Sequence, residues 1–275
     1  QSDDISPIYG NLVNLETRPR SDAPEAKTES AQIRSVTNPE KPERASSATI
    51  PGEQQAVQRG ESLAADTLGL PDATDGADDY PSWIRRESVI ADTVYIEMVD
   101  LLEEIYFAAD GERESRIGSF ITLTEKLIEV CRRSNVILRK AVRLKKEQDL
   151  LTLHSLNTAI LAIKIGIVRN FSRERLFSLA ICALLGDIGM TRVDEGILEK
   201  KEKLTQEEFD QITYHVRYSQ EILSNEFPSF PFLAPIAAQI HERENGVGYP
   251  SGLKGENIPE LAKIIGLSDV YIAMT

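Results

Sequence analysis

The stretch LLTLHSLNTAILAIKIGIVRNFSRERLFSLAICALLGDIG, residues 150–189, decides the fold class. Residues 150–170 read as one very apolar helix that carries His154. Ser172 supplies a capping hydroxyl for the next, whose Leu176, Phe177, Leu179, Ile181, Leu184 and Leu185 lead into Gly186-Asp187. Gly189 then suits a turn. Upstream, apolar residues recur at helical spacing from Val89 to Ile105, break at Gly111, and resume in a long helix from Ile117 to Leu144. Downstream, Thr205 with Glu208 forms a capping box, which predicts a helix that starts there and carries His215. Another is expected over residues 233–244, with His241 near its end. The glycine-rich segment 245–255 is a loop, and Asn257 and Pro259 open a last helix carrying Asp269. No strand pattern competes over 85–275, so the expectation is an all-α helical bundle.

The charge is uneven along the chain. Of the formal net charge of -13, residues 1–80 hold -8, with no Phe or Trp and with Pro residues throughout. Such a segment cannot bury enough apolar surface to offset its ordering entropy. Residues 1–81 are therefore expected to be a disordered acidic arm, rich in Pro, Ser and Ala, that serves as a linker or tail. Residues 82–147 read as a helical lead-in, with residues 85–147 a candidate surface for a homodimer. Its basic run from Arg132 to Lys146 has a solvated face as its default. The acidic balance argues against nucleic acid polymers as partners. No apolar run reaches the length of a membrane span. Cys131 and Cys182 form no paired motif, which fits reduced core thiols and a cytoplasmic location.

Five polar residues interrupt the apolar helices: His154, Asp187, His215, His241 and Asp269. One His on such a face is usually a hydrogen-bonded core residue. Five His and Asp residues from separate helical segments also suit a metal site inside a bundle, for which Fe, Mn, Ni, Co or Zn are appropriate. Spacing alone leaves the two readings level.

The flanking residues tip the balance. Gly248-Tyr249-Pro250 follows His241 within HERENGVGYP, and Asp187-Ile188-Gly189, the Leu204-Thr205 helix start and Ser268-Asp269-Val270-Tyr271 stand in matching order. Residues 148–275 thus resemble the HD-GYP domain, a bacterial subgroup of the HD phosphohydrolase superfamily. The resemblance implies an HD-type bundle around two or three metals, usually iron or manganese. It also implies hydrolysis of cyclic di-GMP to the linear dinucleotide or GMP, and a domain truncated at its C-terminal end. By that resemblance His154, Asp187, His215, His241 and Asp269 match metal ligands, and Glu242, Arg243, Gly248, Tyr249 and Pro250 match the substrate mouth.

The match is incomplete. Gly186 and Ile240 stand where the family has His, Met190 where it has the catalytic Lys, Leu150 where it has an occasional carboxylate, and Ile272 where it has a second Asp. One metal position would keep His154, Asp187 and Asp269, the other Asp187, His215 and His241. Catalytic zinc functions with three protein ligands, so partial occupancy by Fe or Mn is compatible with what remains, as is no metal at all. Losing one electrostatic donor typically costs about 100- to 1000-fold in rate. No catalytic residue is assigned with Met190 in the Lys position. The expectation is a catalytically impaired HD-GYP domain, a regulatory or binding module in bacterial cyclic di-GMP signalling that engages the nucleotide or a signalling protein partner. The alternatives are a metal-dependent cyclic di-GMP phosphodiesterase with an altered site, or a phosphohydrolase of another nucleotide. Without metal, His154–Asp187 and His241–Asp269 hydrogen bonds would satisfy the buried groups.

Overall fold

The computed structural model describes residues 82–142, 151–200 and 202–275. The expected arm, the 147/148 boundary and Leu150 lie outside the described residues. Ten α-helices order the described chain: α1 (Ser82–Tyr106), α2 (Ile117–Arg133), α3 (Val136–Ala141), α4 (Leu151–Val168), α5 (Arg173–Leu185), α6 (Glu195–Leu198), α7 (Gln206–Thr213), α8 (His215–Glu226), α9 (Leu233–Ala237) and α10 (Glu260–Met274). Short 3₁₀ turns cover Arg113–Arg116, Ile188–Arg192 and Gly255–Asn257. No strand occurs among the described residues, so the fold is all-α.

α4 is the axis of the bundle, packed by α5, α10, α3, α1 and α2. Its Leu156, Ala159, Ile160, Ala162 and Ile163 are fully buried. Each buried Leu or Ile contributes about 1.5–3 kcal/mol. This position corrects the expectation that nothing reaches span length. Leu151–Val168 is long and apolar enough to cross a membrane, but 67% of it is buried inside this fold. A helix that is apolar all round suits a core as well as a bilayer.

Two helix boundaries follow the sequence closely. Ser172 Oγ accepts from Arg175 N at 3.3 Å. Thr205 and Glu208 form the reciprocal capping box, at 3.2 and 2.8 Å.

Three boundaries differ, and at each a side chain takes a backbone carbonyl near the break. The long helix expected through Leu144 is split at Ser134–Asn135. Lys164 Nζ reaches from α4 to the carbonyls of Cys131 and Ser134 and to Asn135 Oδ1. The helix begun at Gln206 does not carry His215; α8 starts there instead. His215 Nδ1 donates to Ile212 O at 2.7 Å, the carbonyl that a continuous helix would offer to Val216. His241 is not on a helix, because α9 ends at Ala237. The Ile240 carbonyl accepts from Arg243 Nη1 at 3.2 Å, and that of His241 accepts from Tyr249 N at 3.2 Å.

The lead-in is bolted to the bundle by buried polar groups. Tyr95 donates to Asn157 Oδ1 at 2.8 Å. Arg113 is buried, caps the end of α1 through the carbonyls of Ile105, Tyr106 and Ala108, and pairs with Glu226 at the end of α8. Cys131 and Cys182 are free and buried, and burial pushes the Cys131 thiol up to about 12.

Candidate metal centre

Asp187 sits where α5 gives way to the 188–192 turn, and that turn packs on α8. Gly189 makes this approach close. A Cβ there would collide with the backbone of His215 and Ser219, and its N–H donates to Ser219 Oγ at 2.9 Å. The carboxylate of Asp187 is thereby brought to the two imidazoles of α8 and the 238–241 turn. His241 Nε2 lies 3.3 Å from Asp187 Oδ1, His215 Nε2 lies 3.5 Å from it, and the two imidazoles meet at 3.1 Å. On the other side, His154 Nε2 of α4 lies 2.8 Å from Asp269 Oδ1 of α10.

Two sets of ligand atoms result: Asp187 with His215 and His241, and His154 with Asp187 and Asp269. Within each set the atoms lie within 4.8 Å of one another. All five ligand positions read from the sequence are therefore brought together, and Asp187 belongs to both sets. The pairing of partners differs from expectation. His154 bonds Asp269 rather than Asp187, and His241 bonds Asp187, with its Nδ1 3.8 Å from Asp269 Oδ2. Gly189 fixes Asp187 against α8, within hydrogen-bond reach of His241, while its carboxylate stays within 4.8 Å of the His154 ligand atom.

The electrostatics suit a cation. Burial alone would raise the Asp187 carboxyl, but hydrogen bonds from His215 and His241, and their charge, outweigh it and hold it well below the usual carboxylate range. Because a carbonyl only accepts, the bond to Ile212 O requires a proton on His215 Nδ1; when the ring gives up its second proton and becomes neutral, Nε2 is left with its lone pair for a cation. Imidazole and carboxylate donors in this combination fit iron, manganese or zinc.

The departures from the family pattern are packed apolar. A Cβ on Gly186 would collide with Ile240 Cδ1, so the Ile240 side chain occupies the space beside Gly186. Met190 is 2% exposed, clustered with Leu204, Ile212 and Ala273 and flanked by Leu151, Ile197 and Phe209. Its thioether sits in an apolar cluster.

The residues expected at the substrate mouth take a structural part here. Both oxygens of the buried Glu242 accept backbone N–H groups, from Ser251 at 2.7 Å and Leu253 at 2.8 Å. Its carboxylate thus ties the 245–255 loop to the turn bearing His241. Arg243 Nη1 donates to the carbonyls of Ile240 and Glu242, both at 3.2 Å. Gly248 lets the loop lie on the backbone of residues 241–243. Tyr249 then stacks on the His241 ring, centroids 4.9 Å apart and planes at 12°, with Pro250 exposed beyond it. Sequence reasoning gave no role to Tyr106, Ser155 or Ser219, which hold the ligand-bearing segments; nothing in their spacing marks them.

Comparison with known proteins agrees with this geometry. The HD domain family model matches residues 133–275. The chain is 38% identical over 104 residues to the cyclic di-GMP phosphodiesterase response regulator RpfG of Xanthomonas campestris, covering 38% of this chain and 28% of that protein. It is 30% identical over 170 residues to a cyclic di-GMP phosphodiesterase of Pseudomonas aeruginosa, covering 59% of this chain and 41% of the relative. A cyclic di-GMP phosphodiesterase of Borreliella burgdorferi is 35% identical over 122 residues, 44% of this chain and 32% of its own length. The chain thus spans less than half the length of these curated relatives. Among solved structures, Bd1817, an HDG"Y"P protein from Bdellovibrio bacteriovorus, has the same fold, with a TM-score of 0.59 at 14% identity, covering 79% of this chain and 66% of that one. With its five ligand positions gathered about Asp187 and a Gly-Tyr-Pro loop closed over His241, the chain belongs to the HD domain family, in its HD-GYP subgroup.

Proposed function

We propose that this chain is a metal-dependent, cyclic di-GMP-directed phosphodiesterase domain whose hydrolysis is weakened by Gly186, Ile240 and Met190. The single observation that carries the reading is the sharing of Asp187 between two three-ligand sets. The relatives named as cyclic di-GMP phosphodiesterases support the substrate class.

His154, Asp187 and Asp269 would hold one metal, and Asp187, His215 and His241 the other. Bound there, metal ions supply Lewis acidity toward phosphate oxygens and acidify water. The chain's own residues prepare for this. Asp187 stays ionised, the Ile212 carbonyl fixes the tautomer of His215, and Tyr249 holds the plane of His241 from behind. Glu242 keeps the loop in the position that makes this stacking. At the Lys position the thioether of Met190 offers no positive charge to a phosphodiester.

A second reading has its own support in the packing of Ile240 against Gly186 and of Met190 in its apolar cluster. In that reading the domain engages the cyclic dinucleotide or a protein partner and regulates without turnover. One experiment separates them. The purified chain is loaded with Mn2+ and given cyclic di-GMP, and the linear dinucleotide is followed over time beside the Gly186→His/Ile240→His double variant. Slow conversion that the double variant accelerates about 100-fold or more supports the weakened hydrolase. Nucleotide binding with no product in the native chain moves the assignment to the regulatory module. Absence of both metal and nucleotide binding overturns the proposed function.

A further inference from the structure

The lead-in helix α1 ends on Tyr106, a residue outside the segment matched by the family model. Its side chain is fully buried, and its hydroxyl has two partners. It donates to the carbonyl of Leu184 at 2.8 Å and lies 2.9 Å from Ser155 Oγ. A carbonyl cannot donate, so the single phenolic proton belongs to Leu184, and the Ser155 hydroxyl donates to the tyrosine oxygen. Both partners adjoin the metal centre. Ser155 follows His154 on α4. Leu184 lies in the last turn of α5, whose carbonyls lack donors further along the helix, three residues before Asp187. The nearby Asp187 charge adds to burial in pushing the phenol above its usual range. The hydroxyl is itself held in place, because Arg113 caps the carbonyls of Ile105, Tyr106 and Ala108 and is anchored on Glu226.

We infer that Tyr106 is a positioning residue for the metal centre: its hydroxyl fixes the end of α5, and with it Asp187, against the His154 turn of α4. The inference rests on reading His154, Asp187 and Asp269 as metal ligands. It extends the functional unit beyond the HD-GYP domain into the lead-in helix, where a displacement of α1 would be felt at the ligands. Groups that orient ligands typically alter metal affinity about 10- to 100-fold when removed.

The test compares Tyr106→Phe with Tyr95→Phe, which removes another buried hydroxyl from the same helix, one bonded to Asn157 on α4. Mn2+ affinity is read by calorimetry, and the imidazole 15N resonances of His154, His215 and His241 are read in the metal-free chain. Tyr106→Phe is expected to weaken Mn2+ binding about tenfold or more and to shift the His154 resonances. Ser155→Ala should do the same in smaller measure, and it decides the matter if Tyr106→Phe does not fold. Tyr95→Phe should lower the Tm while leaving affinity and resonances in place. Equal behaviour of the two tyrosine variants, with affinity and resonances unmoved, overturns the inference. A native chain that binds no Mn2+ overturns the metal reading instead, and the resonances of the metal-free variants still decide the role of Tyr106.

Discussion

The two halves of the centre each lack one imidazole of the family pattern, and they lack it in opposite ways. On the His154–Asp187–Asp269 side the missing group is Gly186, which leaves space. On the Asp187–His215–His241 side it is Ile240, which brings bulk, and that bulk lies in the space beside Gly186. The halves are also braced differently. The first is tied by one direct His154–Asp269 bond of 2.8 Å, with the Tyr106 hydroxyl joining Ser155, next to His154, to the end of α5. The second is a row of rings, His215, His241 and Tyr249, closed by the Glu242 staple. Two departures read separately in the sequence thus form one packed unit, and the candidate ligands around it are held by other residues.

The largest effect is expected where the halves meet. Asp187→Ala removes the carboxylate common to both sets and should lower Mn2+ affinity more than about 100-fold at each, since even outer groups cost 10- to 100-fold. An effect on one half only would separate them. Next in size is the Gly186→His and Ile240→His cycle, read by chemical denaturation. Gly186→His alone forces an imidazole against Ile240 Cδ1 and should destabilise the chain by about 1–3 kcal/mol. Joined to Ile240→His, much of that cost should vanish, with a coupling of about 0.5–3 kcal/mol. Additive effects would mean that the two positions are independent.

Glu242→Ala should cost about 1.5–3 kcal/mol, because two buried backbone donors lose a charged acceptor. Glu242→Gln, with one acceptor oxygen left, should cost less. Equal, negligible losses would remove the loop from the bracing of the second half. The smallest effect is a change in thiol labelling. Burial raises both cysteine thiols, Cys131 to about 12, so neither should react with iodoacetamide at pH 8 in the native chain. Cys182 lies one helical turn before Gly186, and in Gly186→His it should become reactive while Cys131 stays silent. Labelling of both would indicate global opening instead of a local shift at the end of α5.

Much of this arrangement was legible in the residues. Apolar periodicity from Val89 onward specified an all-α chain because a helical core repeats its buried face. The five His and Asp residues stood out because each interrupts an apolar run. What was not legible depends on competition of side chains for backbone groups. Nothing in the sequence near Thr205 says that the His215 ring will take the Ile212 carbonyl and start a new helix. Nor does anything in the sequence around Lys164 say that it ends α2 from 30 residues away. Which His would bond which Asp was not legible either, because all five groups lie close together and small shifts between helices decide the pairing. Met190 read as a missing cation, and only its neighbours Leu204 and Ile212 reveal that it packs in an apolar cluster. A lysine introduced there would enter that cluster, so Met190→Lys is the reversal least expected to restore function.

The shared role of Asp187 is most directly tested by calorimetric titration of Mn2+ into the native chain and into Asp187→Ala. Saturation at about two ions per native chain, with both events lost in the variant, is the expected result. A native chain that takes up no Mn2+, or a variant that still binds it as the native chain does, would contradict the assignment of the bridging carboxylate.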